Sequence, residues 1–277
     1  MILALLSPKS HCLAYGVEGH KIVALVAENH LTSATRAKVG EILNGSTMAD
    51  VSSWADSYRQ THRETAGWHY IDIEISDHKI LAGSKTHGTV VDAISSQSKI
   101  LAEESSTSES RRMALKFIIH FLGDVSQPLH CADNYDSGGN KVKVDFLGRN
   151  GSLHQVWDTM LLQKMMAEDQ ASSATGDLRK LANAVDAEFL PNLASIQEGS
   201  VNDWAEQSYK VAAFNAYSYL KNDTLSSLTV TLDQKYYNDN KPVLRRMLAS
   251  GGYRLALVLN QILDPSPVAQ TMVAKRD

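Results

Sequence analysis

The chain has 277 residues, 43% of them apolar and 21% charged, a composition that excludes a disordered or fibrous protein and suffices to bury a full core. Its net charge of −4 counts against a protein that holds polyanions on a basic surface. Two cysteines exclude a disulfide framework, whereas ten histidines point to metal or acid–base chemistry with nitrogen and oxygen ligands.

In chain order, an apolar start (MILALL) and a small-residue site ending at Ala14 predict a secretory leader over residues 1–14. Its removal would take Cys12 and leave Cys131 alone. Three Asn-x-Ser/Thr triplets, at Asn44, Asn150 and Asn222, then become candidate glycosylation sites. No apolar run approaches the roughly 18 residues of a membrane helix. Helical spacing of apolar residues predicts helices over Gly19–His30, Ala34–Leu43 (stopped by Asn44-Gly45), Val51–Arg59, Val90–Glu104 and Glu109–Val125. Ser106 and Glu109 have capping-box spacing, and Pro128 ends that helix. Further helices are expected over Leu153–Met165, Asp177–Leu190, Asp203–Leu220 and Leu244–Leu263, the last interrupted at Gly251-Gly252. His69–Ile75 and Lys141–Phe146 alternate apolar and polar residues and read as short extended pieces. The predicted fold class is all-α: one mostly helical domain over residues 15–264 with a few short extended segments, followed by a tail, 265–277.

The chemistry concentrates in His120-Phe-Leu-Gly-Asp124-Val-Ser-Gln-Pro-Leu-His130. His120 and Asp124 lie one helical turn apart on an otherwise apolar face. A carboxylate buried there is costly unless it is paired or bound to a metal. Pro128 turns the chain so that His130 can point back into the same space. Taken alone, this pair also reads as a satisfied core hydrogen bond. A second pair, His154 and Asp158, repeats the spacing and favours a metal site, for which imidazole and carboxylate ligands suit zinc. Weaker candidates are Asp56 and Arg59 in Trp54-Ala-Asp56-Ser-Tyr-Arg59, His69 to Asp72 in Trp68-His-Tyr-Ile-Asp72, and His20 in Tyr15-Gly-Val-Glu-Gly-His20. Spacing alone leaves open whether these converge.

Together, Tyr15…His20, Trp54-Ala-Asp56, His69-Tyr-Ile-Asp72, His120…Asp124…His130, Gly138-Gly-Asn140 and His154…Asp158 resemble the secreted fungal and plant zinc-dependent nucleases of the S1/P1 family, which are related to zinc phospholipase C. The resemblance runs in order over residues 15–158. It implies a mostly helical fold and three zinc ions in one cleft. Asp56, His69, His120 and Asp124 would hold one; Asp124, His20 and the amino and carbonyl groups of a mature N-terminal Tyr15 the second; His130, His154 and Asp158 the third. Where the family usually has Trp, this chain has Tyr15, and the backbone ligands would be unaffected. The resemblance implies a secreted, monomeric endonuclease that needs neither a protein partner nor a membrane. It would cut single-stranded DNA and RNA to 5′-phosphorylated products, with 3′-nucleotidase activity as an accompanying expectation. Zinc would activate water for attack, with Asp56 and Asp124 as the catalytic carboxylates and Arg59 clamping phosphate. Tyr70 and Asp72 would stack on and hydrogen-bond a base, with Asn140 lining the same pocket. Cys131, next to His130, reads as a small buried residue. Two other readings stand: a zinc phospholipase C-type phosphodiesterase, and a non-catalytic protein stabilised by zinc. Loss of Lys9 with the leader makes the chain slightly more negative, but three divalent ions would reverse its sign locally, so mild acidity does not exclude a nuclease.

Overall fold

A computed structural model describes residues 15–81, 88–172, 177–220 and 228–264; the predicted leader, the tail 265–277 and the Asn222 triplet lie outside them. The chain forms α1 (Val17–Asn29), α2 (Ser33–Leu43), α3 (Met48–Val51) and α4 (Trp54–Tyr58), then a 3-10 turn over Arg63–His69. Next come α5 (Val90–Ala102), α6 (Ser108–Asp124), a 3-10 turn over Pro128–His130 and the hairpin β1 (Lys143–Phe146) and β2 (Arg149–Ser152). Then follow α7 (Leu153–Gln155), a π-helical turn over Val156–Met160, α8 (Leu161–Ser172), α9 (Leu178–Phe189), a 3-10 turn over Leu190–Asn192, α10 (Leu193–Gln197) and α11 (Val201–Val211). A second π-helical turn (Ala212–Ala216), β3 (Val230–Leu232) and α12 (Gln234–Leu263) complete the described chain. The architecture is mostly helical, as the apolar spacing predicts.

α1 is the central helix. Gly19, His20 and the run Ile22–Ala27 are all buried, which is the pattern of a helix covered on every side rather than along one stripe. α12, α9, α3 and α6 cover it. In α6 the N-terminal turns face solvent, whereas Leu115 and Phe117–Asp124 are buried. The buried start of α1 and the buried end of α6 therefore meet inside the protein, and the site lies there. The small sheet has strand order β2-β1-β3, with β1 antiparallel to β2 and parallel to β3.

Several local expectations need correction. α6 is capped by Thr107, whose side chain accepts from Ser110 N, not by Ser106. The Val51–Arg59 helix is two helices, because Thr47 and Asp50 form a capping box that starts α3 earlier. His69 ends a 3-10 turn, and the piece after it joins no named strand: it carries isolated bridges at Ile73–Ile80 and Glu74–Asp133 and single backbone bonds such as Ile71 N–H to the His130 carbonyl (2.8 Å). The helix predicted to Leu220 leaves α-geometry after Val211. α12 begins at Gln234, capped by Asp233, and continues through Pro242.

The Gly251-Gly252 pair does not interrupt α12 but lets it lie close on α1. A Cβ on Gly252 would stand 2.4 Å from Val26 Cγ1 and 3.1 Å from the Val23 carbonyl oxygen. Gly252→Ala is therefore expected to destabilise the fold by about 1–3 kcal/mol through overpacking, despite the better helix propensity of alanine. Thermal unfolding checks this, and an unchanged or raised Tm contradicts it.

Candidate active site

The last turn of α6 supplies the centre of the site. His120 Nε2 lies 3.2 Å from Asp124 Oδ2, and both side chains are wholly buried at the helix end whose partial negative charge favours cations. His69 brings Nδ1 to 3.0 Å from Asp124 Oδ2 and 3.1 Å from His120 Nε2. Asp56, on α4, places Oδ1 3.9 Å and 3.8 Å from those two ring nitrogens. On the other side of Asp124, His20 of α1 sets Nε2 3.4 Å from Oδ1, with its ring stacked on that of His120 at 4.0 Å. Gly123 gives His20 this room, since a Cβ there would be 2.5 Å from His20 Nδ1.

A second concentration lies alongside. His154 Nε2 is 3.2 Å from Asp158 Oδ2, and His130 Nε2 is 3.9 Å from Asp158 Oδ1. The intervening chain is the π-helical turn and not the predicted regular helix; such turns recur at functional sites. Three groups can each hold a metal ion: His20–His120–Asp124, Asp56–His69–His120 and His130–His154–Asp158, with ligand atoms within 4.8 Å of one another in each.

The ring orientations are those of metal ligands. His120, His130 and His154 each hold Nδ1 against a backbone carbonyl, of Ser52 (2.8 Å), His69 (2.7 Å) and Gly138 (2.6 Å) respectively. A proton on Nδ1 leaves Nε2 as a bare lone pair facing the cluster. Among the described residues, six of the seven buried side-chain atoms without a hydrogen-bond partner belong to this cluster: both ring nitrogens of His20, Asp56 Oδ1, His69 Nε2, Asp124 Oδ1 and His130 Nε2. Each such atom costs about 1–3 kcal/mol when nothing binds it, so their concentration here fits a bound cation.

Without a cation, a proton takes its place among these side chains. Burial would lower the His120 pKa, but the Asp124 and Asp56 carboxylates carry it up to about 9. Burial pushes His69 down to about 4. The neighbouring imidazoles hold Asp124 well below the usual carboxylate range against the opposing effect of burial. Tyr15 is buried, donates its hydroxyl to the Ser126 carbonyl (3.0 Å) and sets its ring edge-on to His20. Cys131 is a free, buried thiol whose Sγ lies 3.5 Å from the Val125 carbonyl and which belongs to none of the three groups.

A cavity of ≈ 280 Å³ opens beside the cluster. Arg59, Tyr70, Asp72 and Asn140 all line it, together with His69, His130 and His154. The structure thus brings the expected base-binding residues and the metal-ligand candidates to one place. Arg59 Nη2 lies 3.2 Å from Asp56 Oδ1. Tyr70 is half-exposed, while Ile71 next to it is buried, as the alternation predicts. Burial and the Asp133 carboxylate push Asp72 up to about 7.

Sequence reasoning missed the residues that brace this wall. Asp133 accepts from the backbone N–H groups of Asp136 (2.9 Å) and Gly138 (3.1 Å), and Asp136 accepts from Gly139 N–H (2.7 Å) and the Tyr217 hydroxyl (2.9 Å). Tyr217 is 81 residues away from Asp136, and no local pattern could announce it. Gln127 is readable in part: it lies in the Gln-Pro-Leu-His run, donates to Asp158 and accepts from Leu129 N–H.

A protein-family model described as S1/P1 Nuclease matches residues 15–264. Nuclease S1 of Aspergillus oryzae is 31% identical over 271 residues, covering 90% of this chain and 91% of that protein. Nuclease P1 of Penicillium citrinum is 29% identical over 269 residues, covering 90% and 97%. Endonuclease 4 of Arabidopsis thaliana is 29% identical over 294 residues, covering 96% and 95%.

Proposed function

Because the chain belongs to the S1/P1 nuclease family, we propose that it hydrolyses phosphodiester bonds of single-stranded DNA and RNA to 5′-phosphorylated products, with zinc as its metal. The observation that carries this reading is the shared wall. His69, His130 and His154 face the same cavity as Tyr70, Asp72, Asn140 and Arg59. A phosphate at the metals and a base on an aromatic face would therefore belong to one nucleotide.

Zinc suits the donors. A tetrahedral zinc with bonds of ~2.0–2.1 Å sets its ligand atoms roughly 3.3 Å apart; the His69 and His120 ring nitrogens stand 3.1 Å apart, 3.0 and 3.2 Å from Asp124 Oδ2 and 3.9 and 3.8 Å from Asp56 Oδ1. These four would hold one ion. His20, Asp124 and the backbone of Tyr15 would hold a second, once the leader is removed. His130, His154 and Asp158 would hold a third. When bound, zinc stabilises charge on phosphoryl oxygens and lowers the pKa of water. The side chains do the positioning. The Asp56 carboxylate accepts a proton at the cluster edge, and Arg59, beside it, offers a charge-assisted fork to phosphate. Tyr70 presents a ring to an unstacked base, which favours single strands, and Asp72 hydrogen-bonds that base. Secretion fits this reading, with Asn44 and Asn150, both exposed, open to glycosylation. No described helix is long and apolar enough to cross a membrane.

Side-by-side assays with single-stranded DNA, RNA and phosphatidylcholine test the proposal. Nucleotide release without lipid turnover is expected. Lipid turnover alone would assign the site to a phospholipase, and turnover of neither to a zinc-stabilised binding protein.

A further inference from the structure

Two lysines, Lys141 and Lys143, follow the cavity-lining Asn140 in the chain. Both are exposed, and neither forms an ion pair among the described residues. Val142 between them is buried, so both project to solvent. Lys141 ends a turn and Lys143 opens β1, and their flexible four-carbon stems let the two ammonium groups meet successive phosphates. Asp145, the next residue of β1 on that side, is bonded to Gly148 N–H and ends the basic stretch at two cations.

Tyr135 stands beside them. It is 55% exposed and holds φ 59, a left-handed backbone that tyrosine rarely adopts. The Asp133 and Asp136 bonds described above impose that conformation, and Lys141 N–H adds another to the Asp136 carbonyl (2.9 Å). Lys141 Nζ reaches the Tyr135 carbonyl at 3.4 Å. An exposed ring and an ammonium thus sit side by side on the loop whose other residues, Asp133, Ser137, Gly138 and Asn140, line the cavity. Strain held by surrounding structure marks functional loops.

We propose that Tyr135, Lys141 and Lys143 form a second nucleotide subsite, which takes a base and two backbone phosphates of single-stranded nucleic acid beyond the nucleotide held at Tyr70. This rests on the nuclease reading. The ring accepts any base, and the ammonium groups act as point charges on phosphate, so the subsite adds affinity without sequence preference.

The test compares kcat/KM for a single-stranded decanucleotide with that for a nucleoside 3′-(nitrophenyl phosphate), which fills only the Tyr70 pocket. Tyr135→Asn removes the ring but keeps a residue that tolerates the left-handed backbone. It should lower the ratio of decanucleotide to small substrate by about fivefold or more, the low end of base stacking on an aromatic face. Tyr135→Phe should retain the ratio. The double variant Lys141→Ala with Lys143→Ala should make the slope of log kcat/KM against log salt shallower by about 1.4, or ~0.7 per phosphate. A ratio unmoved by Tyr135→Asn, or a slope unmoved by the lysine variant, overturns the subsite. Failure of the wild type to cut any nucleic acid would instead overturn the nuclease reading.

Discussion

Replacing Asp124 by asparagine is expected to abolish hydrolysis, lowering kcat/KM by ~10³-fold or more, and to reduce bound metal at the two proposed metal positions that it borders. Its two oxygens face different partners: Oδ2 lies 3.0 Å from His69 and 3.2 Å from His120, and Oδ1 lies 3.4 Å from His20. Asparagine keeps the shape but turns one of these acceptors into an N–H donor and removes the charge that neutralises a cation. A thousandfold loss corresponds to about 4 kcal/mol of transition-state stabilisation. The helix around it should survive, because Phe117, Ile118, Ile119, Phe121 and Leu122 are buried apolar side chains that the change leaves in place. The readouts are metal per chain, hydrolysis of single-stranded DNA and the far-ultraviolet circular dichroism of the variant. Asp158→Asn serves as the contrast, since it sits only in the His130–His154 group and should spare the metal bound around Asp124. Full metal content with near-normal rates in Asp124→Asn would remove this carboxylate from both groups.

The ligand candidates were legible because helices repeat. His120 with Asp124 and His154 with Asp158 announce themselves by an i,i+4 spacing on apolar faces, and the structure puts each pair 3.2 Å apart. His20, Asp56 and His69 had no such local signal. Their convergence depends on α1, α4 and a 3-10 turn packing around the end of α6, and only the family resemblance brought them together before the structure did. The bracing of the cavity was not legible at all. Tyr217 meets Asp136 only because α11 ends in a π-helical turn, and neither propensity nor periodicity encodes that meeting. β3 was missed for the same reason: three residues, Val230–Leu232, become a strand only because β1 offers a partner. The glycine pair of α12 was misread because local propensity takes glycine as a break, whereas the side chains of Val23 and Val26 on α1 require its absence of Cβ.

Mild acidity by itself argues against a nucleic-acid substrate, yet the structure concentrates the opposing elements instead of spreading them. Three carboxylates, Asp56, Asp124 and Asp158, are buried at positions where divalent cations would more than offset them, and Lys141 and Lys143 follow the cavity-lining Asn140 in the chain. A strand gripped at so few points should bind with a shallow salt dependence compared with proteins that neutralise 6–10 phosphates.

Removing the metal should destabilise the whole protein as well as silence it. Ligand binding to the native state contributes RT ln(1 + [L]/Kd), which is about 4 kcal/mol per site at a thousandfold excess over Kd. For a domain of this size, chelation should therefore lower Tm by on the order of 10 °C per site. The metal-free protein should also gain a pH dependence of its own. His69, with a pKa near 4 in the fold, stays neutral where the unfolded chain, near 6.5, takes up a proton, so its contribution is lost as pH falls from about 6.5 toward 4. His120 has the opposite sign. Held up to about 9 by Asp124 and Asp56, it contributes fully below about 6.5 and loses that contribution as pH rises through 9. Stability of the chelated protein should thus peak near neutrality and decline on both sides. In the zinc-loaded protein the acid limb should remain, since protons compete with metal for imidazole, while the alkaline limb should flatten, because His120 Nε2 then carries no proton to lose. Tm measured from pH 4 to 10 with zinc and with chelator resolves both limbs. Superimposable curves would mean that the buried cluster is satisfied without metal.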